Sequence, residues 1–428
     1  MSVTALIVEY NPFHNGHQYH LNQSKKITKN TDLIVIMSGN YTQRGEAALL
    51  NKWARARQAL SCGADLVLEL PLVYNIRSAE YFAYYSVLSL EKTNLVDSIV
   101  FGSESGDIKI LAAIADALIN ENSKFKEVLQ KHLKNGIDFP TARRQALLAS
   151  YQYYPELKKF DKNSIKKVLE APNNILGLEY LKSLSRLKSS IKPHTIKRVG
   201  TDYHSQKINK NYASASLIRN LINSKPQAEA LTAIKKIMPA SSWEILRKEL
   251  KQGRYVKNDS LNKIYSKLAD QLRRLQADDL KKYQGIKNGL ENRIIDKAAA
   301  AFEANRFLES LKTKNLTESR LKRKLLQIYF ELTAEKIKLA EKNAPHYLRV
   351  LGINKDKEYL LSQLQRKSGL EIIVNPASKI NQPDLNSEDP LVLSLSYDLL
   401  ASDLYSLLYQ NPEHSKAHRD FYQELIKI

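Results

Sequence analysis

The chain has 428 residues, of which 43% are hydrophobic and 26% charged, a balance typical of globular proteins with two or three domains. No apolar run reaches the roughly 18 residues that cross a membrane, and the first residues lack the basic and apolar segments of a signal peptide. We therefore expect a cytoplasmic protein. Cys62 is the single cysteine, which excludes an intrachain disulfide and a cysteine-based zinc site.

The net charge of +21 is distributed unevenly along the chain. Residues 1–150 contain 16 Lys and Arg against 14 Asp and Glu, whereas the remaining residues contain 50 against 31. Clustered cations neutralise phosphates, so the later part of the chain is a candidate for contact with nucleic acid. A lysine-rich solvated surface would give the same composition.

The first hundred residues alternate apolar runs with segments of helical periodicity. Continuous apolar runs of this length are typical of strands buried on both faces, and we expect four of them, at 3–10, 32–38, 64–71 and 97–103. Helices are expected between them, within 17–28, 49–63 and 76–92. This alternation predicts an α/β fold with a doubly wound, Rossmann-like parallel sheet.

The segments after residue 103 are mostly helical, with one further short strand expected at 194–199 and a helix within 213–224. Because a proline biases the preceding residue away from helix, Pro226 indicates a domain boundary near residue 225. We therefore predict a catalytic α/β domain at 1–225 and a largely helical, basic region at 226–428. The stretch 369–378 is a small mixed region whose place stays open.

The strongest local signal is the sequence EYNPFHNGH from Glu9 to His17, which follows the first strand and opens the first helix. In open α/β sheets, ligands bind outside the carboxyl ends of the strands. Pro12 should keep the strand exit extended, and Gly16 should let a phosphate approach beside free backbone N–H groups. His14 and His17 can then donate hydrogen bonds to an α-phosphate and a departing pyrophosphate, as catalytic residues.

Two other interpretations of the histidines stay open. His14, His17 and His20 fall within seven residues, so they could ligate zinc, although no Cys, Asp or Glu lies inside the cluster. They could also cap the helix and lie on a polar surface. We expect Glu9, by contrast, to be a buried, hydrogen-bonded carboxylate at a strand end.

The HNGH turn resembles the HxGH signature of the nucleotidyltransferase superfamily. Members of that superfamily carry a second phosphate-binding motif late in the domain, and ASASLIR at 213–219 is similar to it. Ser214 and Ser216 would supply hydroxyls at a helix N-terminus, and Arg219 would reach the β- and γ-phosphates. Without the resemblance, these residues are typical of an ordinary capped helix.

Further motifs follow the predicted strands and helices. They are MSGNYTQRGE at 37–46, ELP at 69–71, FGSE at 101–104, PNNILG at 172–177, TIKR at 195–198, YH at 203–204 and GLENR at 289–293. Together they resemble the bacterial tRNA(Met) cytidine acetate ligase family, over essentially the full chain. The basic region departs from the family pattern twice, because KTKNLTESR lacks an Arg-Tyr pair after KTK and NGLENR replaces EGLENR.

The resemblance implies a reaction in which ATP and acetate form acetyl-adenylate, and the acetyl group then passes to N4 of the wobble cytidine of elongator tRNA(Met). It implies Mg²⁺ with the triphosphate. It also implies ATP contacts from Gly102, Arg198, and either Asn173 or Asn174. The remaining ATP contacts are expected from the segment comprising Ile7, Val8, Glu9, Tyr10, Asn11, Pro12, Phe13, His14, Asn15, Gly16, His17, Gln18, Tyr19 and His20.

Residues after the second strand are candidates for the acetate and cytidine sites. Arg44 could hold the acetate carboxylate, or it could form a surface salt bridge with Glu46. Asn40, Tyr41 and Gln43 could line a pocket for an extruded cytosine, since amides and a phenol suit its Watson–Crick edge and its stacking.

Cations interspersed with Tyr and Phe in the second half of the chain are expected to contact tRNA phosphates. They are Lys312, Lys314, Arg320, Lys322, Arg323, Lys324 and Arg349. Two other functions stay open: a small-molecule adenylyltransferase, and a non-catalytic ATP- or RNA-binding protein. The long basic region disfavours the first, and the two intact histidines disfavour the second.

Overall fold

Strands from both halves of the sequence form one sheet. The computed structural model describes residues 2–29, 32–198, 211–257, 260–300, 303–313 and 316–428. These residues form eight strands: β1 (Val3–Val8), β2 (Asp32–Ser38), β3 (Leu66–Leu70), β4 (Ser98–Ser103), β5 (Lys192–Lys197), β6 (Tyr347–Ile353), β7 (Glu371–Ile373) and β8 (Ile426–Lys427). They pair in the order β5-β4-β1-β2-β3-β6-β7, and β8 also pairs with β6. Every pairing is parallel except that of β3 with β6.

This topology confirms the predicted doubly wound parallel sheet. β1 to β4 lie within the four apolar runs, and β5 overlaps the strand expected at 194–199. The strand order reverses between β1 and β4, so a crevice opens at their carboxyl ends, where open sheets bind ligands. The YH pair at 203–204 lies outside the described residues.

Helices cover both faces of the sheet and form most of the second half of the chain. They are α1 (Asn15–Thr28), α2 (Lys52–Ser61), α3 (Leu72–Asn75), α4 (Ala79–Glu91), α5 (Ile108–Ile119), α6 (Ser123–Lys134), α7 (Phe139–Ser150), α8 (Lys162–Glu170), α9 (Pro172–Leu187), α10 (Ala215–Ser224), α11 (Gln227–Ile234), α12 (Ala240–Lys251), α13 (Ser260–Arg273), α14 (Ala277–Leu280), α15 (Leu290–Ala300), α16 (Ala304–Leu311), α17 (Glu318–Tyr329), α18 (Ala334–Glu341), α19 (Glu358–Lys367), α20 (Pro390–Ser406) and α21 (Arg419–Tyr422). Across the described ranges, no helix is both long and apolar enough to span a membrane.

Alternate residues of the strands pack into two cores, one on each face of the sheet. On β2, Ile34 and Ile36 belong to one core, whereas Leu33, Val35 and Met37 belong to the other. α4, α5 and α9 contribute to the first core, and α1 and α2 contribute to the second. Because both faces are covered, the parallel strands are apolar throughout rather than at every second residue.

β6, β7 and β8 come from the region that the sequence analysis predicts to be largely helical. β6 is buried along its whole length, and Arg349 on β6 lies opposite Glu69 on β3. The stretch 369–378, whose place was open, supplies β7 next to β6. One sheet therefore draws strands from both sides of residue 225, and the division into two domains at that residue stays a prediction.

A buried ionic cluster joins the end of β3 to β6. Lys52, at the start of α2, is fully buried, and its Nζ lies 2.8 Å from Oε2 of Glu69 and 2.8 Å from Oδ1 of Asp420. The guanidinium of Arg349 lies 3.3 Å from Asp420 and also donates to the carbonyl of Val374. The expectation that Arg349 contacts tRNA is therefore wrong, because its side chain is buried and shared between protein acceptors.

Candidate functional site

The chain turns sharply where β1 ends. Tyr10 has a φ of +48°, in the left-handed region, and Asn11 and Pro12 form a turn with a cis peptide bond between them. The expected extended exit at Pro12 is therefore wrong. Asn11 is held from two sides, because its Oδ1 accepts from the Leu49 N–H at 2.7 Å and its carbonyl accepts from Arg219 at 2.7 Å.

Backbone N–H groups fix the hydrogen-bonding state of the two candidate catalytic histidines. His14 is the N-cap of α1, and its Nδ1 accepts from the Gly16 N–H at 3.0 Å. Nδ1 of His17 accepts from the His14 N–H at 3.3 Å, and the two rings stack with centroids 3.8 Å apart. Because each Nδ1 is an acceptor, each neutral ring carries its proton on Nε2. Both imidazoles are thereby set as Nε2–H donors.

Burial keeps these histidines neutral. It lowers the pKa of His14 to about 3, and the charges of Arg198 and Arg219 act in the same direction. Burial also lowers the pKa of His17 well below its ordinary value, and that of His20 to about 4. At neutral pH the rings therefore donate hydrogen bonds without adding positive charge to the site.

Gly16 makes room for the ring of His14. A Cβ placed on Gly16 would lie 2.8 Å from Cε1 of His14, which is closer than real Cβ contacts. The structure thus gives a further reason for the glycine: Gly16 permits the capping position of His14, a candidate catalytic residue.

A cavity of about 310 Å³ lies over the carboxyl ends of β1, β4 and β5 and beside the residues that follow β2. The residues selected from the sequence that line it are Ile7, Val8, Glu9, Tyr10, Asn11, His14, Gly16, His17, Tyr19, His20, Gln43, Arg44, Gly102, Asn173, Arg198, Ser214, Ser216 and Arg219. The selected residues near the cavity that are absent from its lining are Pro12, Phe13, Asn15, Gln18, Asn40, Tyr41 and Asn174.

Two of the residues that do not line the cavity anchor the turn instead. Phe13 is fully buried, and its carbonyl accepts from Oγ of Ser242 at 2.9 Å. Nδ2 of Asn15 donates to the carbonyl of Lys236 at 3.0 Å. These contacts tie the HNGH turn to the first turn of α12 and to the segment that precedes it.

The second motif forms the expected capped helix, α10. Oγ of Ser214 accepts from the Leu217 N–H at 3.1 Å and caps the helix. The guanidinium of Arg219 donates to Oγ of Ser216 at 3.3 Å, and its other terminal nitrogen donates to Asn11. Arg219 therefore joins the second motif to the HNGH turn while it lines the same cavity.

The structure distinguishes the two asparagines of the PNN motif. Asn174 is buried, and its Oδ1 accepts from the N–H groups of Glu104 at 2.9 Å and Ser105 at 3.2 Å. Asn173 lines the cavity, and its Oδ1 accepts from the guanidinium of Arg198 at 3.5 Å. Asn174 thus orders the loop after β4, and Asn173 faces the ligand space.

Charged groups at the end of β2 lie against Glu9. Glu9 is half-buried at the cavity wall, and it is hydrogen-bonded as expected, because its Oε1 accepts from the Gln43 N–H at 2.8 Å. Burial raises the pKa of Glu9, while the Gln43 N–H and the charge of Arg44 oppose that rise. Glu46, the alternative partner for Arg44, has its Oε1 2.6 Å from Nζ of Lys322.

Asn40 and Tyr41 support this loop from behind. Nδ2 of Asn40 donates to Oγ of Ser402 at 3.1 Å, and its Oδ1 accepts from the Lys52 N–H at 2.8 Å. Tyr41 is fully buried against Phe330. The expected cytosine contacts of Asn40 and Tyr41 are therefore wrong, because both side chains are enclosed by the C-terminal half of the chain.

Apolar residues line the side of the cavity next to α4 and α9. They include Ala79, Phe82, Phe101, Leu176 and Tyr180. They were not predicted as site residues, because apolar and aromatic residues at helical spacing are typical of a core. The FGSE and PNNILG motifs were the available signals, since they contain Phe101 beside Gly102 and Leu176 close to Asn173.

Two of the cations expected to contact tRNA are engaged inside the protein. The side chain of Lys322 is 12% exposed, and its Nζ lies 2.6 Å from Glu46 and 2.8 Å from Glu318. Lys324 is buried and donates to the carbonyl of Gln284 at 2.7 Å, and burial lowers its pKa to about 8. Neither is placed to bind RNA phosphates, which corrects both expectations.

The other expected tRNA contacts differ in exposure. Arg323 donates to the carbonyl of Gln43 at 3.4 Å, and burial lowers its pKa to about 10, so it too supports the loop after β2. Lys312 is paired with two carboxylates. Arg320 is exposed, and its contact with tRNA stays a prediction. Lys314 lies outside the described residues.

Among the described residues, no group of three or more His, Cys, Asp or Glu side chains could hold a metal ion. In the histidine cluster, Nδ1 of both His14 and His17 already accepts a backbone hydrogen bond. His14 and His17 are therefore organised around a helix start, and both line the cavity.

The geometry defines a nucleotidyl transferase of the HIGH type: an HNGH turn at a strand end, a capped helix with an arginine, and one cavity between them. The family model described as HIGH Nucleotidyl Transferase matches residues 1–420. Two curated relatives are tRNA(Met) cytidine acetate ligases. That of Halothermothrix orenii is 43% identical and that of Acetivibrio thermocellus 40%, each over 100% of both chains.

The fold is also similar to that of a solved relative. The crystal structure of Thermotoga maritima TmcAL bound with alpha-thio ATP has a TM-score of 0.89 and 34% identity, and the match covers 100% of both chains. The apo form of the same protein has a TM-score of 0.91. The chain belongs to the tRNA(Met) cytidine acetate ligase family.

Proposed function

We propose that the protein is a ligase that activates acetate with ATP and acetylates N4 of the wobble cytidine of elongator tRNA(Met). The observation that carries the proposal is the full-length match to ligases of this name, in a chain whose cavity keeps both histidines as oriented N–H donors. A tRNA substrate agrees with the basic 226–428 region, and a cytoplasmic location agrees with both substrates.

In the first step, an acetate oxygen attacks the α-phosphorus of ATP, and the bond to the leaving pyrophosphate breaks. Acetate is already an anion, so this step requires alignment and charge stabilisation but no general base. We assign Nε2–H of His14 and His17 to the phosphate oxygens on which charge builds. Arg198 and Arg219, which line the same cavity, add positive charge near the triphosphate.

Further contacts are assigned by their position in the cavity. Asn173 rather than Asn174 is the asparagine proposed to contact ATP, because it alone of the two faces the cavity. Ser214 and Ser216 present hydroxyls at the start of α10. Mg²⁺ would enter with the triphosphate, since phosphate oxygens and water can supply most of its ligands.

In the second step, the cytidine N4 attacks the acetyl carbonyl carbon, the bond to AMP breaks, and the nitrogen loses a proton to solvent. The exocyclic amine is a weak nucleophile, so it needs an acyl donor as reactive as a mixed anhydride. We place acetate between Arg44 and the apolar wall of Phe82 and Tyr180. Gln43 lies at the same side, where a flipped cytosine would arrive.

The test is acetate-dependent exchange of labelled pyrophosphate into ATP, followed by detection of N4-acetylcytidine in tRNA(Met). We expect pyrophosphate exchange that depends on acetate and Mg²⁺. We also expect N4-acetylcytidine in tRNA(Met) after incubation with the protein, acetate and ATP. His17→Gln should abolish exchange, whereas His194→Gln, on β5 and away from the cavity lining, should not. Absence of exchange with saturating acetate would refute the ligase, and exchange without tRNA acetylation would favour a small-molecule adenylyltransferase.

A further inference from the structure

α12 begins at the HNGH turn. Oγ of Ser242, in its first turn, donates to the carbonyl of Phe13 at 2.9 Å, and the carbonyl of Ser242 accepts from Nε2 of Gln58 at 3.0 Å. The segment just before α12 is fixed as well, because the Lys236 carbonyl accepts from Asn15. The start of α12 is therefore anchored to the HNGH turn, whose residues His14, Gly16 and His17 line the cavity.

The outer side of this segment is strongly basic. Residues 235–254 contain six Lys and Arg against two Glu. Arg247, Lys248 and Lys251 are exposed, and the half-buried ring of Trp243 lies between Nζ of Lys235 at 5.2 Å and the guanidinium of Arg247 at 5.6 Å. A helix of this length extends for about 18 Å, so its face can follow several nucleotides of an RNA strand.

A concave basic pocket lies at the far end of the helix. This cavity, of about 360 Å³, is lined by Arg57, Lys248, Arg254 and Arg419 together with Glu249 and two other residues. Both oxygens of Glu249 are engaged by Arg254, at 2.9 and 2.6 Å. The single carboxylate of the pocket is therefore committed to one of the four cations.

Arg57 lies in this pocket beside other cations. Burial lowers its pKa, and the neighbouring charges of Arg419 and Arg254 lower it further, against the opposing effect of Glu249. The guanidinium of Arg419 stacks on Trp53, 4.4 Å from the ring centroid, and is held in place beside it. Like charges that line one pocket favour a bound anion, and a phosphate matches the geometry of guanidinium donors.

We infer that the outer face of α12, ending in the Arg57 pocket, binds the phosphodiester backbone of the RNA substrate. The inference rests on the proposed function, since it takes tRNA as the substrate. It also supplies the RNA surface that Lys322 and Lys324 cannot, because those two lysines are engaged inside the protein. The chemical basis is a row of cations that begins beside the catalytic turn and ends in a pocket with excess positive charge.

The test measures the Kd of an elongator tRNA(Met) transcript by fluorescence anisotropy at several KCl concentrations. Lys248→Gln/Lys251→Gln should raise the Kd about tenfold at low salt and reduce the slope of log Kd against log salt by about 2. Arg57→Gln should reduce that slope by about 1, and Arg57→Lys should restore most of it. The control is Lys126→Gln/Lys131→Gln, an equal charge change at two exposed positions of α6.

Melting temperatures of all variants show whether the fold is kept. If the α12 variants keep their melting temperature and bind tRNA as the α6 control does, the inference is overturned. The proposed function fails separately, when the unmodified protein shows no acetate-dependent pyrophosphate exchange. In one outcome, the unmodified protein exchanges pyrophosphate and binds tRNA, and the α12 variants keep the same affinity and salt slope. That outcome refutes the RNA surface on α12 and leaves the proposed function standing.

Discussion

Lys52→Met should cause a large loss of stability, because the lysine is the cation that two buried carboxylates share. Its Nζ lies 2.8 Å from both Glu69 and Asp420, and all three side chains are at most 3% exposed. Removal of one partner from a buried pair costs about 3–5 kcal/mol, since the remaining charge is left uncompensated. Arg349 contacts Asp420, but its single positive charge cannot compensate both carboxylates.

The free energy of unfolding is measured by urea titration, with the fluorescence of the two tryptophans as the signal. Lys427→Met is a matched control, because Nζ of Lys427 lies 2.7 Å from Glu358 with both side chains about half exposed. An exposed pair of this kind contributes below about 1 kcal/mol. Glu69→Gln added to Lys52→Met should recover part of the loss. Equal losses for Lys52→Met and Lys427→Met would refute the reasoning.

Three further predictions concern the site. The cavity histidines have pKa values below 6.5 in the folded protein, so the unfolded chain takes up protons first as the pH falls. The free energy of unfolding should therefore decline by about 1.2 kcal/mol for each histidine between pH 6 and 5. His20→Gln should remove about a third of that decline in urea titrations, and an unchanged slope contradicts the buried neutral ring. Gly16→Ala should displace the ring of His14 and lower kcat/KM for pyrophosphate exchange about 100-fold, while a normal rate would show that the ring adapts. Asn173→Ala should raise the KM for ATP and leave the stability of the protein unchanged. Asn174→Ala should destabilise the protein by about 1–3 kcal/mol, because the N–H groups of Glu104 and Ser105 lose their acceptor. Reversed effects would contradict the assignment of Asn173 to the ligand space.

The sheet could be predicted from sequence where burial on both faces leaves a continuous apolar run, as in β1 to β4. β6 was missed because its short apolar run, 347–353, lies among lysine-rich helices and is interrupted by Arg349. In the sequence, Arg349 cannot be distinguished from a solvated cation, because its partner Asp420 comes beside it only in the folded protein. The sequence contains each charge but not the long-range pairing that neutralises it.

The same reason explains the outcome at the site. Local signals sufficed for the HNGH turn and for α10, because a strand end, a cap and a helix start are made by neighbouring residues. Lys322 and Lys324 were mistaken for RNA contacts because their partners, Glu46 and Gln284, are distant in sequence. Asn173 and Asn174 could be separated only once the loop after β4 was in place.

The antiparallel pairing of β3 with β6 affects how the protein must be made. On the ribosome, β3 is an open edge of apolar sequence until residues 347–353 have been synthesised. At about 5–20 residues per second, the roughly 280 intervening residues take on the order of 15 to 55 s. During that interval the unpaired edge can associate with other nascent chains, so we expect yield to depend on chaperone supply and translation speed more than on the stability of the finished sheet.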